Sequence, residues 1–541
     1  MFTDSLEMEL KLTIEEKIII IPGGNIKTLK IDNTSYGFEC LLSFWVASET
    51  KPDELFPFFL KPDLMEAKLK VISRFAGEEE DIESLDLKGL VTQKKILLER
   101  VIENIEIKGD PVFYRHYQIL FADTAFVLWR QHFPNDLMTQ SSIKDLLDAH
   151  KGQKVTLEYD WDILEDKFAI NTLPLGRENN KNVSFYDFVC WYVSSSNGVL
   201  AYDSKKDIYT ISNKKNEDDR PIPMNKQEVE DIRIDFPETI RHKVNLLNGY
   251  SENPEHRLII QEQSVDGVRH EFLERFPIAS DFENLGSLET EKLKYREHEL
   301  FVVFRRFPLM TYRPGCLIKL ESNTWSDNIF PYGKIYRVRN IVLDASSTDD
   351  EVTADHNMPY AKYNITMTSR LELKSETWVS FPPSKNPIFP LYVEGKIVSE
   401  QGKDEEETFQ IYQDPDASVD QYKVAIPLWD QQEVVIPFEP IFSSGHFYFP
   451  AYKNARVLVA LDFHSARIER FLDWRPGVRL PMDTQGNQLL LGKTEKSQTS
   501  ITNVYETEKP VFKMKRTSDQ DTETITMTEG SLILETKEED N

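Results

Sequence analysis

The chain has 541 residues, with 64 Lys and Arg against 91 Asp and Glu and a net charge of −27. That acidity speaks against a general phosphate-backbone binder and against docking on anionic lipid, both of which need a basic surface. Apolar residues at 40% and aromatics at 11% suffice for packed cores and exclude a disordered chain.

The length corresponds to three or four domains. Cys40, Cys190 and Cys316 lie far apart and form no C-x-x-C pair, which excludes a zinc ribbon or a thioredoxin site. Each sits among apolar neighbours and reads as a small buried hydrophobe in a protein folded in a reducing cytosol. The start is acidic, and its apolar run is only Ile18 to Ile21, so no signal peptide is expected. No stretch approaches the ~20 apolar residues of a membrane span.

Most of the chain reads as strand. Residues 7–21 alternate around Glu7-Met8-Glu9-Leu10-Lys11-Leu12, and a Pro22-Gly23-Gly24-Asn25 turn follows. Ile26–Ile31, Gly37–Val46, Lys68–Ile72, Leu85–Val91 and Tyr114–Phe121 continue the pattern, at the spacing of a barrel or sandwich. Near residue 127 the pattern changes. Ser141–His150 and Ser184–Ser194 read as Ser-capped helices, Val155–Tyr159 as a strand, and Gly198–Tyr202 with Asp207–Ile211 as a hairpin. A polar break at 212–222 opens a second strand-rich block that reaches about residue 384, with Glu289–Glu299 as a charged helical or coil connector. The Pro-rich segment Phe381–Pro387 reads as a linker. Five or six short strands between Leu391 and Leu472 fit a small OB-type barrel. The last stretch, 496–541, alternates as in Thr524-Ile525-Thr526-Met527-Thr528 and cannot bury its apolar face as a single chain.

Sequence motifs for chemistry are absent. His270-Glu271-Phe272-Leu273-Glu274 lacks the second histidine of H-E-x-x-H. No G-x-S-x-G elbow, Walker loop or G-x-G-x-x-G occurs. His464 reads as a turn or partly buried histidine, and the acid runs Glu78–Asp81 and Asp404–Glu407 as solvated loops. The sequons at Asn182 and Asn364 stay unmodified without export.

Several short patterns recur in one order. Tyr36-Gly37-Phe38-Glu39-Cys40 with Ser43, Leu87-Lys88-Gly89-Leu90-Val91, Tyr117-Gln118-Ile119-Leu120, Leu128-Trp129-Arg130 and Ser142–Leu147 come first. Phe185-Tyr186-Asp187-Phe188-Val189, Gly198-Val199-Leu200, Arg313-Pro314-Gly315-Cys316 and Tyr336-Arg337-Val338 follow. Tyr422-Lys423-Val424, Trp429-Asp430, Ala455–Asp462 and Arg475-Pro476-Gly477 complete the series. This order resembles the VgrG spikes of type VI secretion and the fused hub and spike of phage tails and phage-like injection particles. In one departure, Asn454 and Ala455 stand where the family usually has Gly before the "E-V-L-V" strand.

The resemblance implies a mainly β chain with a small α/β insert: two hub-type β-barrels, an OB-fold barrel and the start of an intertwined trimeric β-helix. Expected divisions are 1–126 (first hub barrel), 127–212 (insert), 213–384 (second barrel), 385–495 (OB-fold) and 496–541 (needle). Ile525, Met527, Leu532 and Leu534 are expected in the interchain needle core. The implied function is structural and non-enzymatic: a homotrimer on an Hcp-like tube hexamer, among baseplate proteins, that carries a PAAR-type tip protein and effectors and punctures a target membrane. No cofactor, metal or nucleic acid is expected. The protein would be cytoplasmic before firing and then ejected. A non-piercing baseplate or adhesin component and a β-rich carbohydrate-active enzyme are the alternatives.

Overall fold

The computed structural model describes residues 2–48, 53–74, 84–102, 112–176, 183–217, 219–238, 241–251, 256–260, 265–275, 279–293, 297–404, 406–413, 420–437 and 448–538. The Glu78–Asp81 run, part of the Asp404–Glu407 run and the Asn182 sequon residue lie outside them. The chain is mainly β with few helices. It divides into two compact units, Met1–Phe133 with Ala149–Asp162 and Val183–Asn386, and Pro134–Asp148 with Ile163–Asn182 and Pro387–Asn541.

In the first unit, eight antiparallel strands form a closed ring. Phe2–Ile14 pairs with Met65–Ser73, then Leu85–Ile102, Val112–Ala122, Gly37–Ser48, Ile26–Thr34, Ile335–Ser347 and Tyr360–Leu373, which returns to Phe2–Ile14. The alternation decides which face is buried: Leu6, Met8, Leu10, Leu12 and Ile14 are all within the core. Gly89 marks a close backbone approach, because a Cβ there would stand 2.0 Å from the Ala122 carbonyl oxygen. The ring therefore joins strands of the 1–126 and 213–384 blocks.

Ile335–Ser347 and Tyr360–Leu373 also belong to a second run of strands. Its order is Ile222–Met224, Leu317–Leu320, Ile335–Ser347, Tyr360–Leu373, Glu299–Phe304 and Val229–Asp235, and among the described residues its two end strands do not pair. Between Asp235 and Glu299 the chain makes a small α/β excursion, with strands Lys243–Asn248, Arg257–Ile259 and Arg269–Glu274 and a helix, Ala279–Lys292. That helix accounts for the start of the charged connector expected at 289–299.

The helical part of the insert is tied to the ring by Asp123. Its buried carboxylate caps the Thr124–Trp129 helix through Phe126 N–H (2.8 Å) and accepts from Phe38 N–H (3.0 Å) and the Tyr209 hydroxyl. Burial pushes this carboxyl up to about 6. The Phe185–Ser195 helix has the expected Ser184 cap, closed into a capping box by Asp187. The Val199–Asp203 and Ile208–Ser212 hairpin is also present.

In the second unit, Leu391–Val398 pairs with Asp420–Ile426 on one side and Arg456–Leu461 on the other. Gln432–Pro437 and Ala466–Phe471 extend the two edges and lie against each other, so the sheet curls. Asn454 takes φ 63°, a left-handed conformation that Asn tolerates better than most side-chain-bearing residues. Val424, Val434, Val457 and Val459 fill the core, joined by Leu137 and Ile170 from the antiparallel pair Asn135–Ser142 and Lys167–Pro174.

His464 is part of the same packing. Its ring stacks on Phe168 at 3.8 Å, and Nδ1 lies 3.3 Å from the Ile170 carbonyl. Burial pushes the imidazole down to about 4. The folded state therefore prefers the neutral ring. Its stabilisation is whole above about pH 6.5, the unfolded value, and is lost as pH falls towards 4. The loss amounts to about 3 kcal/mol at most. A melting-temperature series from pH 7 to 4 is expected to fall more steeply for the wild type than for His464→Phe; parallel curves would contradict this.

Candidate functional site

The tail forms a five-strand antiparallel meander: Gly486–Thr494, Ser497–Glu506, Lys509–Ser518, Asp521–Thr528 and Ser531–Lys537. Two-residue turns join the strands. Thr507 and Glu508 both have positive φ, 47° and 67°, the turn geometry that matches hairpin twist. Gly492 takes φ 130° at a bulge, where a Cβ would stand 2.3 Å from the Ser497 carbonyl oxygen.

The register lines up one apolar face. Leu489, Ile501, Met514, Ile525 and Leu534 are successive cross-strand partners. A parallel row on the same face runs through Phe512, Met527 and Leu532. The residues between them in sequence, including Thr524 and Thr526, point to the opposite face. All four residues expected from the sequence share the apolar face, in two directly paired couples, Ile525 with Leu534 and Met527 with Leu532. They are 37%, 48%, 62% and 71% exposed for Ile525, Met527, Leu532 and Leu534. Contiguous apolar exposure of this kind marks an interaction surface.

Four members of the face were missed by sequence reasoning: Leu489, Ile501, Phe512 and Met514. The same alternation carries them, but Asn487, Asn503, Arg516 and Thr499 stand on that face beside them and dilute the pattern. The sequence reading also expected strands paired between intertwined chains. Here each strand pairs within its own chain, because a two-residue turn returns it directly onto the preceding strand.

Arg475 ties this sheet to the neighbouring barrel-like block. Its Nε reaches the Glu407 carboxylate, Nη1 donates to the Leu490 carbonyl (3.1 Å) and Nη2 to the Gly492 carbonyl. The Glu407 N–H donates to the Lys493 carbonyl (3.0 Å), and Leu490 is buried beside Gly477. The Arg-Pro-Gly turn noted in the sequence is thus the clasp of the first tail strand.

Elsewhere, His270 and Glu271 lie on a strand and face opposite sides. Cys40 and Cys190 are buried and Cys316 is half-buried. Among the described residues, no three His, Cys, Asp or Glu side chains converge as a metal site, and no helix is long and apolar enough to cross a membrane.

No family model matches the sequence, and neither does any curated protein. Among solved structures, the chain is similar to a chain of a lidless PdpA-VgrG complex, at 12% identity and a TM-score of 0.75, covering 99% of both chains. It is similar to a chain of the half-lidded Francisella PdpA-VgrG complex at 12% identity and a TM-score of 0.76, over 98% of this chain and 88% of that one. The E. coli c3393 protein, a component of the type VI secretion system, is a looser likeness at 12% identity and a TM-score of 0.47, over 85% of this chain and 99% of that one. At 12% identity this likeness is one of fold, it runs along the whole chain, and it agrees with the mainly β, VgrG-like reading of the sequence.

Proposed function

We propose that the chain is a hub-and-spike subunit of a contractile injection machine, either type VI secretion or phage-tail-like, and that it works as a homotrimer. The observation that carries this reading is the exposed apolar face of the tail sheet, with Leu489, Ile501, Met514, Ile525 and Leu534 in one row. Three such faces turned towards a common axis give a three-sided prism with Met527 and Leu532 in its core. Each strand keeps its hydrogen bonds within its own chain, and the shared core holds the three sheets together. Five strands stacked at about 4.8 Å make a needle roughly 24 Å long.

In this reading the curled sheet after residue 387 is the OB-type block beneath the needle. The closed ring and its neighbouring strands form the hub on an Hcp-like tube hexamer, among baseplate proteins. The needle would carry a PAAR-type tip protein and effectors for membrane puncture. The subunit would wait in the cytoplasm and be ejected, with no catalysis of its own. Three copies carry −81 (3 × −27), which favours solubility of the waiting pool. Negative-stain images of the purified full chain are expected to show threefold particles with one short projection. Particles without threefold symmetry would count against the reading and favour a non-piercing baseplate component.

A further inference from the structure

Among the described residues the second run of strands does not close. The short turn 225–228 joins its two end strands, Ile222–Met224 and Val229–Asp235. At the first end, Glu321 N–H continues the ladder with Leu317–Leu320 by donating to the Met224 carbonyl (3.1 Å), which also accepts from Trp325 Nε1–H (2.8 Å). Val229–Asp235 pairs with Glu299–Phe304 on one side, and its outer edge has no backbone partner among the described residues.

An open cleft of about 780 Å³ is lined by Val229–Ile232 and Ile234 of this strand together with the segment 323–331. Val229, Ile232, Ile234, Trp325, Ile329 and Phe330 supply its apolar lining. Phe330 is half exposed, and Phe236, at the end of the strand, is 71% exposed; their rings stand 6.4 Å apart. The charged residues lining the cleft are Lys226, Glu230, Asp231 and Arg305. Glu230 is paired with Arg305 at 2.8 Å, whereas exposed Asp231 has no ion-pair partner among the described residues.

We propose that this cleft accepts an extended peptide segment of a partner protein as an added strand on the Val229–Asp235 edge. The backbone edge supplies a row of unused donors and acceptors, which is what strand addition requires. The occupant's chemistry follows from the lining: alternate apolar residues to meet Ile232, Ile234 and Trp325, and a Lys or Arg across from Asp231, since opposite charges facing each other across strands attract. A strongly acidic chain also favours a basic partner segment by steering. The inference does not depend on the tail sheet or on the oligomeric state.

The test uses the full chain and a fluorescein-labelled peptide of seven residues that alternates valine and lysine. Fluorescence anisotropy is expected to show saturable binding. Asp231→Lys should weaken it about tenfold without changing the melting temperature of the chain. A second peptide, with the same side chains but alternate backbone nitrogens methylated, should not bind, because methylation removes the ladder donors. Equal binding of the methylated peptide would overturn strand addition. No binding of either peptide, or preference for a glutamate version over the lysine one, would overturn the proposal as well.

Discussion

Lysine in place of both Ile525 and Leu534 is expected to leave the chain monomeric while its two folded units stay intact. The two residues are direct partners at the end of the apolar row, 37% and 71% exposed in the single chain. In the proposed prism they are buried in each of three copies. Each apolar side chain so buried contributes about 2 kcal/mol. Replacing it with an ammonium would instead place charges against charges at the axis, which costs several kcal/mol more. The exposed sheet of a monomer accommodates lysine without penalty, so far-ultraviolet circular dichroism should barely change. Thr524→Lys with Thr526→Lys, on the opposite face, is the control and should leave association unaltered. If the inner and outer pairs behave alike, the inward orientation of the apolar face is wrong.

The second large effect is expected at Arg475. Its guanidinium and the Glu407 carboxylate are 11% and 16% exposed, and it also serves the Leu490 and Gly492 carbonyls. Arg475→Met strands a mostly buried carboxylate and leaves two carbonyls without their donor. Removing one member of such a pair costs about 3 to 5 kcal/mol. The damage should be local: amide exchange in 486–494 should accelerate, whereas exchange in the Phe2–Ile14 strand should not change. The double variant Arg475→Met with Glu407→Met should recover a good part of the loss, because it removes the stranded charge as well. Unchanged exchange in 486–494 for the single variant would show that the clasp does not hold the tail.

Much of the architecture was legible because alternation reports which face of a strand is buried. Leu6 to Ile14 is an example: every second residue is apolar and every one of them is buried. The Ser184 cap was legible because Ser followed by Asp187 three residues later satisfies the first helical amides reciprocally. Alternation does not say which strand a given strand pairs with. The closure of the ring by Ile335–Ser347 and Tyr360–Leu373 joins residues more than 300 positions apart, and no local signal carries it. For the same reason Leu137 and Ile170 read as part of the α/β insert, although they fill the core around Val424 and Val459. In the tail, the alternation that places Ile525 and Met527 on one face shows in Thr524, Thr526 and Thr528, and the pairing puts Leu532 and Leu534 opposite them. Phe512 and Met514 were not, because Lys513, Lys515 and Arg516 surround them and suggest a solvated strand.

The measurement that bears most directly on the central claim is the mass of the full chain in solution, by light scattering at micromolar concentration. A trimer gives about 189 kDa, three times 63.1 kDa. The account predicts that species for the wild type and 63.1 kDa for the Ile525→Lys, Leu534→Lys variant. A wild-type chain that stays at 63.1 kDa would contradict it, since the apolar face of the tail would then have no copy of itself to meet.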